Sequence, residues 1–243
     1  MFYEFARAVK EVKPLIAIGE NVRGLLSHED GRTVAGMTSI LEELGYRVLQ
    51  PQILKAIFFN VPQKRERLFI VAVRKDVKVD FDFPQPKRKI LNLRDALKAG
   101  ELYENDVPIS PGQQYPKEKA KVMRLVPPGG YWRDLPIEVQ KTYMMKSYFL
   151  SGGKTGMARR MSWNEPSLTL TCAPAQKQTE RCHPDETRPF TVREYARIQT
   201  FPDDWIFAGS LTSQYKQIGN AVPVNLAKAI GAQVVKLLNL HFS

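Results

Sequence analysis

The sequence predicts an α/β protein in which part of an open sheet is joined to a smaller, loop-rich unit containing short β-runs. Three observations carry this. Apolar runs of strand length alternate with helical stripes over the first 76 residues, periodicity fades and Pro and Gly crowd in from 77 to 187, and helical order returns from 188 to 243. At 243 residues and 43% hydrophobic the chain can bury a substantial core.

Taken in order, Phe2, Phe5, Val9 and Val12 stand three and four apart and predict a helix. "LIAIGENVRGLL" (15 to 26) runs from apolar residues into Glu20 and Asn21, as a buried parallel strand does when it delivers an acid to the rim of a sheet. Val34, Met37, Leu41 and Leu44 form the stripe of a second helix, which Gly45 stops. "YRVLQPQIL" (46 to 54) and "LFIVAVR" (68 to 74) have the branched and aromatic content of strands. In the middle segment "FPQPKRK", "VPPGGYW" and "LSGGKTG" read as loops, with "SLTLT" (167 to 171) as a short strand. Thr191 and Glu194 are spaced as a capping box, Phe201-Pro202 closes that helix, and a long helix from Pro223 carries Ala227, Ile230, Val234 and Leu237.

Charge narrows the function. The chain has 36 Lys and Arg against 25 Asp and Glu, a net +11, and a polyanion such as nucleic acid is the partner that best exploits this field. Basic knots recur at Lys64-Arg65-Glu66-Arg67, Lys87-Arg88-Lys89 and Arg159-Arg160. No run approaches the length of a membrane span and no secretion signal opens the chain, so a cytoplasmic protein without membrane contact is expected. Cys172 and Cys182 are expected as reduced thiols, and His28, His183 and His241 lack the companions of a metal site. "SGGKTG" has Tyr148 where a phosphate loop needs Gly.

Four stretches then carry a family resemblance. "ENV" (20 to 22), "VPQKRERLFIVAV" (61 to 73) with its Gln63-x-Arg65-x-Arg67 pattern, "RPFTVREYARIQTFPDDW" (188 to 205) and "QIGNAVP" (217 to 223) occur in the order and approximate spacing of the bacterial DNA cytosine-5 methyltransferases. The chain resembles that family over nearly its whole length. The resemblance implies a partial Rossmann-like S-adenosylmethionine-dependent methyltransferase sheet (1 to 76), a target-recognition domain (77 to 187) ending in Thr169-Leu170, and C-terminal helices that return to the catalytic domain (188 to 243). It implies double-stranded DNA as partner and S-adenosylmethionine as cofactor. Two elements of the family, a Phe-x-Gly-x-Gly cofactor turn and a Pro-Cys nucleophile, do not occur in these residues. The expectation is a C-terminal portion, active with a complementary N-terminal half or subunit, with a catalytically inactive DNA-binding module as the alternative.

The resemblance assigns the site residues. Glu20 is the acid that donates to ring nitrogen 3 of a flipped cytosine, and Arg65 and Arg67 hold the nucleotide and orient the acid. Asn220 and Ala221 are cofactor candidates, and Arg23, Gln63, Thr169 and Leu170 are DNA-contact candidates. The residues alone also allow a strand-end carboxylate, a solvated basic turn and a turn with helix cap at these places.

Overall fold

Why the chain takes up its strands is clearest at its most apolar segment. The computed structural model describes residues 2–243. In chain order the elements are α1 (Phe2–Val12), β1 (Ile16–Val22), α2 (Arg32–Glu43), β2 (Tyr46–Val48), β3 (Gln52–Lys55), β4 (Gln63–Lys64), β5 (Glu66–Arg74), α3 (Leu93–Leu97), α4 (Lys117–Arg124), α5 (Ile137–Met144), β6 (Ser167–Leu168), α6 (Val192–Ile198), α7 (Leu211–Asn220) and α8 (Val224–Phe242). The architecture is α/β. Residues Leu68 to Val73 of β5 are all buried, as a strand covered on both faces must be. Among the described residues no single helix is long and apolar enough to cross a membrane.

The chain divides into two units, the first made of residues 1–59, 66–86 and 226–243, the second of 60–65 and 87–225. In the first, β5 is the hub, pairing antiparallel with β1, β2 and β3. Among the described residues β1 does not have the parallel neighbour expected for it: β1 and β2 run the same way, but the reversed β5 lies between them. Alternate β5 side chains face opposite ways. Ile70 and Ala72 pack with Val9 of α1, Leu41 of α2 and Tyr46, while Val71 and Val73 pack with Val77, Phe81 and Leu237 of α8.

That second packing explains a difference at the boundary. A division after residue 76 follows from the fading periodicity, whereas Val77 and Phe81 are buried against β5 and keep the chain in the first unit to Pro86. On α1 the buried face includes Ala6, and Val12, expected inside, is exposed; on α8 Leu226 takes the place expected for Ala227. α2 ends as expected, with Gly45 at φ +91°.

The second unit has two cores. One gathers Leu93, Leu97, Phe190, Tyr195, Tyr215 and Ile218 from α3, α6 and α7, and the other Met123, Val126, Trp132 and Met144 around α4 and α5. The Thr191–Glu194 capping box forms in full at α6. "SLTLT" is strand only at Ser167–Leu168, which pairs parallel with β4. Residues 188–225 pack in this unit, and only the remainder of α8 lies in the first.

Candidate active site

In the first unit β1 and β5 pair over their whole shared length, with Glu20 opposite Phe69 and Val22 opposite Arg67. Glu20 and Arg67 are therefore diagonal neighbours on one face, within reach of long side chains. Arg67 Nε lies 2.7 Å from Glu20 Oε1, with side-chain exposures of 13% and 28%. Burial pulls the Arg67 guanidinium below its ordinary value, and the Glu20 carboxylate draws it back up. A half-covered pair of this kind fixes geometry more than it adds stability.

The pair sits at the carboxyl end of β1, where burial gives way to exposure, and strand ends of this kind are where open α/β sheets bind ligands. Glu20 lines a mostly apolar cleft of about 430 Å³ together with Phe2, Phe5, Gly19, Leu25 and Ile70. Next to Arg67, Glu66 is held by Arg23 at 2.9 Å and Lys55 at 3.6 Å. Arg23 itself remains 70% exposed.

Arg65 goes elsewhere. It is 1% exposed, in the second unit, and its guanidinium donates to the carbonyls of Leu170 (3.1 Å), Gly219 (2.8 Å) and Ala221 (3.0 Å). Gln63, also fully buried, donates to Gln199 Oε1 and accepts from the Leu170 amide, both at 3.0 Å, and Gln199 donates to the Ile218 carbonyl at 2.8 Å. The last carbonyls of a helix lack intrahelical partners and carry the negative end of its dipole. Arg65 and Gln199 satisfy those of α7 and tie them to the strand-like segment at 169 to 171.

The family resemblance assigns Arg65 to the nucleotide and Gln63 and Leu170 to DNA; here Gln63 and Arg65 are enclosed and hydrogen-bonded to protein, and the Leu170 side chain is packed in the apolar core. Thr169 is partly exposed, with its hydroxyl donating to the Lys64 carbonyl at 2.6 Å. Nothing local marks Gln199 as a member of this knot.

The profile of C-5 cytosine-specific DNA methylases matches residues 1–236. The chain belongs to that family. It is 65% identical over 241 residues to the type II methyltransferase M.Eco47II of Escherichia coli, covering 98% of this chain and 58% of that one. It is 51% identical over 245 residues to M.Sau96I of Staphylococcus aureus, covering 98% and 55%. The chain thus spans under three fifths of these relatives. Among solved structures its fold resembles that of an E. coli prophage DNA modification methyltransferase (TM-score 0.72, 22% identity, 96% of this chain and 72% of that one). It also resembles the S. pombe Dnmt2 methyltransferase (0.58, 16%, 98% and 72%). At these identities the likeness is one of fold.

The C-5 methylase family implies S-adenosylmethionine, and the two cofactor candidates differ in what they offer it. Asn220 is exposed at the end of α7; its Oδ1 accepts from Cys172 Sγ at 3.0 Å, and its side-chain amide nitrogen makes no hydrogen bond among the described residues. It is a donor on a pinned backbone, which suits a polar cofactor group. Ala221 has already spent its N–H on Gln217 and Ile218 and its carbonyl on Arg65, leaving only a methyl group.

Gly219, in "QIGN", is a point of close backbone approach. A Cβ there would stand 2.5 Å from the Thr171 carbonyl oxygen and 2.8 Å from the Cys172 nitrogen. Gly219→Ala is expected to lower stability by about 1–3 kcal/mol, because backbone cannot yield to the methyl. Gly36→Ala, on the exposed face of α2 with nothing within 4 Å, is expected to raise it by up to about 1 kcal/mol. Thermal melts of the two variants check the contrast; equal shifts would mean that Gly219 is not a close-approach position.

Proposed function

We propose that residues 1–243 form the proton-donating and DNA-recognising part of a type II DNA cytosine-5 methyltransferase of a restriction-modification system. The target is a cytosine extruded from duplex DNA. The glycine-rich cofactor turn and Pro-Cys nucleophile are carried by other residues, in the same polypeptide or a separate subunit. The observation that carries this reading is the Glu20–Arg67 pair at the rim of β1 and β5, with Glu20 at the edge of a cleft.

The chemistry asks for such a pair. Carbon 5 of cytosine is a poor nucleophile until a thiolate adds at carbon 6, and that addition places negative charge on the ring. Glu20 relieves it by passing a proton to ring nitrogen 3. Arg67, anchored at Oε1, holds the carboxyl so that its other oxygen meets that nitrogen, and offers a fixed positive charge beside the ring. S-adenosylmethionine, when bound, supplies the electrophilic methyl group. Asn220 would hold a polar group of that cofactor with its free amide nitrogen. Arg23 and Thr169 remain available to DNA, whereas Gln63, Arg65 and Leu170 serve it by holding the recognition segment and the α7 terminus together.

The test compares these residues alone with the same residues plus a polypeptide carrying the cofactor turn and Pro-Cys. Alone, they are expected to transfer no methyl group and to form no covalent adduct with duplex DNA containing 5-fluorocytosine; the combination is expected to do both. Adduct formation by residues 1–243 alone would place the nucleophile within them and overturn the division of labour.

A further inference from the structure

Three arginines cluster in the second unit, and Arg159 is unlike the other two. Arg160 is buried and saturated, donating to the carbonyls of Val126 (2.8 Å), Met123 (2.7 Å) and His183 (3.0 Å). Arg181 is likewise buried, donating to the Thr169 and Glu180 carbonyls at 2.6 to 3.1 Å. Among the described residues the Arg159 side chain makes no hydrogen bond and no ion pair; its Nε is buried without an acceptor, and its guanidinium lies 6.0 Å from the centre of the Tyr131 ring. Among the described residues, none of the three meets a carboxylate. Arg159 and Arg181 are close enough for Arg159 to disfavour the charge on Arg181.

A buried Nε with no acceptor, beside cationic neighbours, is unfavourable, and an acceptor on the terminal nitrogens would offset that cost. The Arg159 backbone is also fixed. Trp132 N donates to Met157 O, Arg160 N to Gly130 O, Cys182 N to Arg159 O and Met161 N to Cys182 O, all at 3.0 to 3.1 Å. Just before it, the fully buried Ala158 is held at φ +45°, a conformation a side chain rarely adopts and that concentrates at functional positions.

We propose that Arg159 is a specificity-determining residue that reads a guanine through the major groove, an inference that rests on the DNA-acting function above. With Nε closed off, the side chain offers one usable edge, its two terminal nitrogens. Two parallel donors at a fixed orientation match the O6 and N7 acceptors of guanine, the commonest specific arginine contact. A phosphate would accept the same donors, but phosphate contacts do not require an orientation set by a pinned backbone and a ring.

The experiment selects from a randomised duplex library with the full 243-residue chain, comparing wild type, Arg159→Ala and Arg159→Lys after a melting check of each. Wild type is expected to enrich sites with guanine at defined positions. Arg159→Ala should lose discrimination at one of them by roughly ten- to a hundredfold while keeping the others. Arg159→Lys, which keeps charge without the fork, should lose it too, and carries the test should the alanine variant fail to fold. Uniform weakening with unchanged base preference would assign Arg159 to phosphate and overturn the proposal. A wild-type chain that binds no duplex at low salt would overturn the DNA-acting reading itself, and Arg159 with it.

Discussion

Glu20→Gln, in the combination of these residues with the cofactor-and-nucleophile polypeptide, is expected to lower methyl transfer by on the order of a hundredfold or more, the usual scale of general acid catalysis. Glutamine keeps the length and one hydrogen-bonding oxygen, so the cleft wall at Gly19, Leu25 and Ile70 should stay as it is. What it loses is the ionisable carboxyl: the acid form's proton for the ring, and the ionised form's charge opposite Arg67 at 2.7 Å. The loss should fall on the rate and leave DNA affinity nearly unchanged, because in the proposed function Glu20 meets the extruded base and not the duplex. Rate and affinity are measured separately, by single-turnover methyl transfer and by titration of a labelled duplex. Undiminished transfer by the variant would mean that the acid lies elsewhere; a parallel fall in affinity would mean that Glu20 mainly holds DNA in place.

The two halves of that pair differ in how far sequence reveals them. Both ends are visible as short motifs, an acid after an apolar run and an arginine before one. Their meeting is not visible, because it depends on the register that sets Glu20 opposite Phe69 and brings Arg67 to the diagonal position. Local signals worked where they were local. The stripe of α2 with its Gly45 stop and the Thr191–Glu194 box depend on residues three to four apart, and both formed as expected.

The second unit carries fewer local signals. α4, "KEKAKVMR", has Met123 as its sole buried side chain, so no apolar stripe announces it. α3 and α5, at 5 and 8 residues, are too short to show a period. The cores there are assembled from scattered residues such as Trp132, Phe190 and Tyr215, each within a stretch that reads as loop or helix end. The resemblance assigns Arg65 to the nucleotide and Gln63 to DNA, and the residues alone allow a solvated basic turn at Lys64-Arg65-Glu66-Arg67; neither reading shows the burial of Gln63 and Arg65. Alternation along the chain sends Lys64 and Glu66 one way and Arg65 inward, to carbonyls 105 and 154 residues away.

That inward turn separates two arginines that sequence treats as equivalent. Arg65→Met is expected to destabilise the chain by about 3 kcal/mol or more, since it strands the Leu170 and Gly219 carbonyls in the interior at roughly 1–3 kcal/mol each. The Ala221 carbonyl keeps a 3.4 Å contact from Gln199 and should suffer less. Arg65→Lys should recover only part of the loss, because one ammonium cannot fork between carbonyls on two segments. Arg67→Met removes a partly exposed partner of Glu20, so it should cost little stability and much methyl transfer. Denaturant titrations of the three variants, read beside methyl-transfer rates of those that fold, check the division. An Arg65→Met chain as stable as wild type but as inactive as Arg67→Met would return Arg65 to the substrate, and would mean that its carbonyl contacts give way when DNA binds.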